Sequence, residues 1–361
     1  MVYLLRMPID DMPVKGRGAS EQVPNRFEQR SYQRMHVEGL DEVESETLPT
    51  SRIEVFPRTI INRVDSPDLP FSWSMNPYQG CEHGCSYCYA RPTHEYWGYS
   101  AGLDFERVVL VKRNAPELFE QALRHKRWKG EPISLSGATD PYQPVERTER
   151  LTRRILEIAL AFKQPLMLIT KNALIERDID LLTQLAEQRL VQVAVSLTTL
   201  NEELRRKLEP RTSTGPQRLE VIENLSKAHI PVLAMIAPVI PALNEPEVPE
   251  LLRRASLSGA LGAGYTVLRL NGPVRPVFER WLRHHYQDRA EKVLAQTRAL
   301  HGGDANDSVH GRRMKGEGAF ATNIQRLFQV MHARYFSQKV VPVLKSSLFS
   351  PPPKGQLDLF Q

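Results

Sequence analysis

Between residues 108 and 270 short apolar, β-rich runs alternate with amphipathic segments, and no other feature of the chain restricts its fold as strongly. The runs are VVLVK (108–112), PISLS (132–136), PLMLIT (165–170), VQVAVSL (191–197), PVLAMIAPV (231–239) and YTVLRL (265–270). Segments 116–127, 148–162, 179–189 and 218–228, lying among these runs, carry apolar residues at helical spacing. Strand, helix, strand, repeated over this length, predicts a parallel sheet covered by helices and closed or nearly closed on itself. The expected fold is therefore α/β: a partial (β/α)6-type TIM barrel, with its chemistry at the C-terminal ends of the strands.

The flanks read differently. Residues 1–52 are polar and charged without sustained periodicity, which suits a leader that is mostly extended or disordered. Residues 53–275 form the expected core domain, 276–345 a mainly helical region, and 346–361 a flexible, disordered tail. Charge is distributed unevenly among these parts. Residues 276–345 hold 12 Lys/Arg against 6 Asp/Glu, whereas residues 1–275 balance at 35 against 35. A local positive surplus is the electrostatic footprint of a polyanion such as DNA, and also what a solvated helical face shows. The most apolar run, 230–243, is interrupted by prolines, and nothing approaches the ~20 apolar residues of a membrane span. No membrane partner is expected. Three cysteines packed into eight residues cannot build a disulfide framework, so the expected location is the cytoplasm.

Those cysteines carry the strongest chemical signal. In NPYQGCEHGCSYCYARPTHEY (76–96), Cys81, Cys85 and Cys88 stand at the spacing C-x3-C-x2-C. Three thiolates can hold three irons of a cubane and leave a fourth open to a small molecule, whereas electron-transfer ferredoxins close every position with cysteine. Zinc held by the same thiols with His83 or His94 is the competing reading.

The spacing and its context resemble the cluster loop of the radical S-adenosylmethionine (SAM) superfamily, and the strand–helix alternation that follows matches the barrel of that superfamily. CEHGCSYCYA, SGATDPYQPVE, ITKN, VAVSLTT with EPRT, and IAPVIPALNE further resemble the spore photoproduct lyase branch and its uncharacterised relatives. The resemblance implies a [4Fe-4S] cluster on Cys81, Cys85 and Cys88, S-adenosyl-L-methionine as the second cofactor, and a reductant such as flavodoxin or ferredoxin. It implies that Ser136, Lys171 and Ser196 contact the methionine and ribose parts of SAM, with Thr139, Asp140 and Arg211 as further candidates. Tyr87 and Tyr89 match tyrosines of that branch and are candidates for radical transfer or for packing. One position departs from the branch: lyases carry a hydrogen-donating cysteine directly before the serine matched by Ser136, and here Leu135 stands there.

The chain ends in PPPKGQLDLFQ, and Gln356, Leu357, Asp358, Leu359 and Phe360 resemble the short peptide with which bacterial polymerases and repair proteins dock on the DNA sliding clamp. A glutamine amide and apolar anchors on a proline-stiffened tether suit a preformed hydrophobic pocket. The resulting expectation is a radical SAM enzyme that cleaves SAM to a 5′-deoxyadenosyl radical and takes hydrogen from DNA or a nucleobase, as in repair. The alternatives are a radical SAM enzyme modifying RNA or a protein residue, and a clamp- or nucleic-acid-binding protein with a structural or redox-sensing cluster.

Overall fold

The strands are short and rich in β-branched and apolar residues, as pleated, half-buried surfaces favour. In the computed structural model, which describes residues 14–27 and 49–353, they are β1 (Ser51–Val55), β2 (Ile61–Arg63), β3 (Trp73–Met75), β4 (Tyr78–Gln79), β5 (Val108–Lys112), β6 (Ile133–Leu135), β7 (Leu166–Thr170), β8 (Val191–Ser196), β9 (Val232–Val239) and β10 (Gly262–Val267). The α-helices are α1 (Leu103–Arg107), α2 (Ala115–Leu123), α3 (Glu146–Glu149), α4 (Leu151–Phe162), α5 (Ile179–Glu187), α6 (Glu202–Leu208), α7 (Gly215–Lys227), α8 (Val248–Leu257), α9 (Val274–His285), α10 (Gln287–Leu300) and α11 (Gly318–Phe336).

Among the described residues the main sheet runs β10-β9-β8-β7-β6-β3-β2. All neighbours are parallel except the edge pair of β2 with β3. This is the expected partial barrel, with one substitution in its membership. VVLVK does not enter it: β5 pairs with β1 and β4 in a separate three-stranded sheet, and the first parallel barrel strand is the three-residue β3. An apolar run of five residues satisfies either sheet, so the pattern shows that a strand forms but not which strand it joins.

Leu166, Leu168 and Thr170, Val191, Val193 and Val195, and Val232, Ala234 and Ile236 are buried, while the residues between them are only partly so. The apolar members of that set pack with Leu182, Leu185, Ile222 and Leu225 of the covering helices. With period-2 alternation, Met167, Ile169, Ala194, Leu233 and Met235 then face the lumen.

The core does not stop at residue 275. Ala321, Ile324, Phe328 and Phe336 of α11 belong to the main core, and α11 packs on α8 and β10. Helices α9 and α10 form a second core with Leu268, Leu270, Ile240, Cys85 and Tyr87. The part of the tail before residue 354 is also packed. Gln192 donates to the Pro342 carbonyl at 2.6 Å, Lys345 N to Arg189 O at 3.0 Å, Ser350 N to Phe162 O at 3.0 Å and Arg124 to Pro352 O at 2.9 Å. Arg189 and Phe162 precede β8 and β7, so residues 342–352 cross the end of the barrel opposite the strand C-termini. The Gln356–Phe360 motif lies outside the described residues.

Candidate active site

From Met75 the chain turns into the cysteine loop. Gly80 (φ +79°) and Gly84 (φ +64°) permit its path, since a β-carbon at Gly80 would stand 2.5 Å from Val108 O and one at Gly84 2.7 Å from the Glu106 carboxylate. The three thiols are free; Cys81 and Cys85 are buried and Cys88 partly so. Cys88 packs both with Cys81, Ala90 and Phe105 and with the group holding Cys85 and Tyr87. Burial raises the pKa of all three thiols, so they are protonated until a metal displaces the proton. Among the described residues no three His, Cys, Asp or Glu side chains converge on a single ion. A multi-iron cluster, which takes one thiolate per iron, does not require convergence on one point.

Arg91, with no solvent exposure, holds the loop from behind. Its Nε and Nη2 donate to the Cys85 carbonyl at 3.1 and 2.8 Å, Nη1 to the carbonyls of Ala101 and Gly102, and Nη2 also pairs with buried Glu106.

The sequence-selected residues gather at the strand C-termini. Ser136, Thr139 and Ser196 are buried there. Between the first two, Gly137 (φ +116°) has nothing within 4 Å of where a β-carbon would project, and the Thr139 hydroxyl has no protein partner. A buried hydroxyl beside an open cradle fits a bound polar ligand. Together with three free thiols, the residues present fit a cluster and its SAM.

Asp140 has a structural engagement. Its carboxylate accepts from Tyr142 N at 2.8 Å, Thr170 Oγ1 at 2.8 Å and Lys171 N at 2.7 Å, and lies 3.4 Å from His83 Nδ1. It therefore fastens the end of β6 to the end of β7. His83 is fully buried, and burial lowers its pKa despite the Asp140 charge.

Lys171 enters a buried ionic group that the sequence did not reveal. Its Nζ lies 3.1 Å from Glu209 Oε1, and Arg218 Nη2 lies 2.5 Å from Oε2. Thr198 Oγ1 donates to Glu209 Oε1 at 2.8 Å, and the Tyr87 hydroxyl donates to the same oxygen. Burial alone would raise the Glu209 pKa; the Arg218 and then the Lys171 charges overcome it and hold it well below the carboxylate range. Arg218 also donates to Ser196 O at 3.0 Å, so Lys171 and Ser196 are tied to one carboxylate. Tyr87 is thus a buried hydrogen-bonded residue beside Cys85, whereas Tyr89 is 54 % exposed. Arg211 points away from this group: its Nε donates to Gly16 O at 3.1 Å and Nη1 to Thr50 Oγ1 at 3.4 Å.

Comparisons with known proteins agree with this geometry. The model of the family described as the Radical SAM superfamily matches residues 75–255. An uncharacterised protein of Mycobacterium tuberculosis is 38 % identical over 232 residues, spanning 63 % of this chain and 68 % of that protein. An uncharacterised protein of Methanocaldococcus jannaschii is 29 % identical over 198 residues, 55 % of this chain and 72 % of the relative. Among solved structures, a spore photoproduct lyase variant with bound AdoMet and dinucleoside spore photoproduct shares the fold, with a TM-score of 0.57, 17 % identity and 79 % of each chain covered. The matched family span opens at the last residue of β3, takes in the cysteine loop and closes in α8, so the elements that build the site are those the family defines: the chain belongs to the radical SAM superfamily, and is an enzyme whose cofactors are a [4Fe-4S] cluster and S-adenosylmethionine.

Proposed function

We propose that this enzyme takes a hydrogen atom from a nucleic acid, DNA or a nucleobase, in a repair-like reaction. The observation that carries the reading is the extent of the fold match. Likeness to an enzyme solved with bound dinucleoside spore photoproduct covers 79 % of the chain, well beyond the 75–255 family span. Three features support it. The rim of the barrel mouth carries a cavity of about 360 Å³ between the loop after β9 (Ala242, Glu245, Pro246) and α10 (Arg289, Lys292, Gln296), where cations can meet a phosphodiester backbone. The formal charge of the chain is +6. The C-terminal peptide resembles a sliding-clamp ligand.

When bound, the reduced cluster supplies the electron that cleaves SAM to methionine and a 5′-deoxyadenosyl radical, which removes the hydrogen atom. The chain's residues position and shield. In this reading Cys81, Cys85 and Cys88 hold the cluster, and Lys171, neutralised meanwhile by Glu209, takes the methionine carboxylate. Ser136, Thr139 and Ser196 supply hydroxyls to the amino and ribose groups, and the covering helices exclude water. Leu135, wholly buried in the main core, offers no S–H, so the return of hydrogen differs from that of a thiol-dependent lyase.

The test is anaerobic incubation of the reduced enzyme with SAM and deuterated oligonucleotides. Expected are 5′-deoxyadenosine carrying deuterium and an altered base. Cleavage of SAM that never acquires deuterium from DNA, while acquiring it from RNA or a peptide, would reject the reading.

A further inference from the structure

The polar leader contributes part of the site. Residues 14–27 lie across the cysteine loop. Gly18 N and Ala19 N donate to the two Glu106 oxygens at 2.9 and 2.8 Å, and Arg17 Nη1 donates to Glu106 O at 2.5 Å. Contact with the loop is direct at Gly18, where a β-carbon would stand 1.8 Å from Gly84 O and 2.9 Å from Ser86 N. Only hydrogen fits there. Further along, Val23 N donates to the Ser100 hydroxyl at 2.8 Å, and the same hydroxyl donates to Val23 O at 2.7 Å. Asn25 donates to Glu95 O at 3.1 Å, and Leu103 N to Glu21 O at 3.0 Å. Ala19 and Val23 pack with Ala101, Leu103 and Val277, which joins the segment to α9.

We propose that residues 14–27 are a strap that positions the cysteine loop and shields its cluster from solvent, with Glu106 as the positioning residue that transmits strap closure to the Cys85 peptide. A buried carboxylate requires full compensation. Glu106 obtains hydrogen bonds from the Arg91 guanidinium and from the two strap amides, and the Arg17 charge acts on it as well. Arg91 in turn makes two bonds to the Cys85 carbonyl. Lifting the strap hydrates Glu106, loosens Arg91 and frees the peptide between the first two cysteines and the third. Iron–sulfur clusters respond to such changes, because their potential depends on hydrogen bonding and solvent exposure.

The test uses the anaerobically reconstituted full-length protein, Gly18→Ala, a chain lacking residues 1–27, and Glu106→Gln, all checked for fold by circular dichroism. The first two variants should hold the iron of the intact protein, lose visible absorbance in air about tenfold faster or more as the strap opens, and show a shifted cluster midpoint potential. Glu106→Gln should follow them, while Lys15→Ala, on the exposed edge of the strap, should behave as the intact protein. Folded strap variants that bleach and titrate like the intact protein would overturn the proposal.

Discussion

Lys171 Nζ and Glu209 Oε1 meet at 3.1 Å inside the barrel mouth, where Glu209 is wholly buried. The strand-end cation that the sequence assigns to the cofactor carboxylate already has an anionic partner, and Arg218 neutralises the other oxygen of that partner. A bound carboxylate would meet a cation held in place by the protein, not a flexible lysine.

Glu209→Gln is therefore expected to destabilise strongly. It keeps the side-chain volume but leaves Arg218 and Lys171 facing each other's charge, and removing one partner from a buried ionic group costs about 3–5 kcal/mol. A urea denaturation series at neutral pH measures this. The sign with pH is fixed by the lowered pKa of Glu209. Its contribution is complete above the ordinary carboxylate value of 4.5 and is lost as pH falls through its depressed folded value.

Lys171→Ala should weaken SAM binding about ten- to a hundredfold, the range of a lost charged hydrogen bond, while iron content stays at that of the intact protein. Anaerobic equilibrium dialysis against SAM, with iron analysis on the same sample, separates the two effects. Loss of iron would make Lys171 a folding residue.

His94 provides a pH prediction in a different window. It is wholly buried, stacked on Tyr99 at 5.2 Å and edge-on to Phe105 at 5.7 Å, and burial lowers its pKa from 6.5 to about 4. The unfolded chain binds this proton first, so stability is complete above pH 6.5 and falls as pH drops from 6.5 towards 4. The loss over that window is on the order of 3 kcal/mol. His94→Phe, which retains an aromatic ring, should flatten the apoprotein's stability profile there. An unchanged slope in chemical denaturation at stepped pH would contradict the assignment.

Legibility in the sequence followed the kind of interaction. The repeated apolar runs disclosed the barrel because burial of alternate residues imposes a period on VQVAVSL and PVLAMIAPV. The three residues of β3 are too few to impose one, whereas VVLVK is long enough to read as a barrel strand although it joins the other sheet. Cys81, Cys85 and Cys88 were legible because coordination chemistry fixes residue type and spacing together. Arg218 was not, because a charged residue on an amphipathic segment reads as solvent-facing until tertiary structure buries its partner with it, and Glu209, although it stands in EPRT, carries no local pattern that shows its burial. The strap was the least visible element. Its hold depends on backbone amides and on the missing side chain of Gly18, and neither produces a pattern in composition.

Chain segment 342–352 is fastened across the barrel end opposite the strand C-termini, as the bonds from Lys345 N to Arg189 O and from Ser350 N to Phe162 O show. For the C-terminal motif, with one amide and three apolar anchors, the expected affinity is micromolar, roughly −7 to −8 kcal/mol. Gln356, Leu359 and Phe360 should carry most of it. On a clamp encircling DNA even this weak attachment would raise the local concentration of the enzyme near duplex, and the rim cations at Arg289 and Lys292 would add a second, salt-dependent contact. Deleting residues 356–361 should abolish binding to purified sliding clamp in a calorimetric or pull-down assay, while SAM cleavage by the isolated enzyme remains unchanged. Equal clamp binding by the truncated chain would reject the docking role and leave the nucleic-acid reading to rest on the fold match and the rim alone.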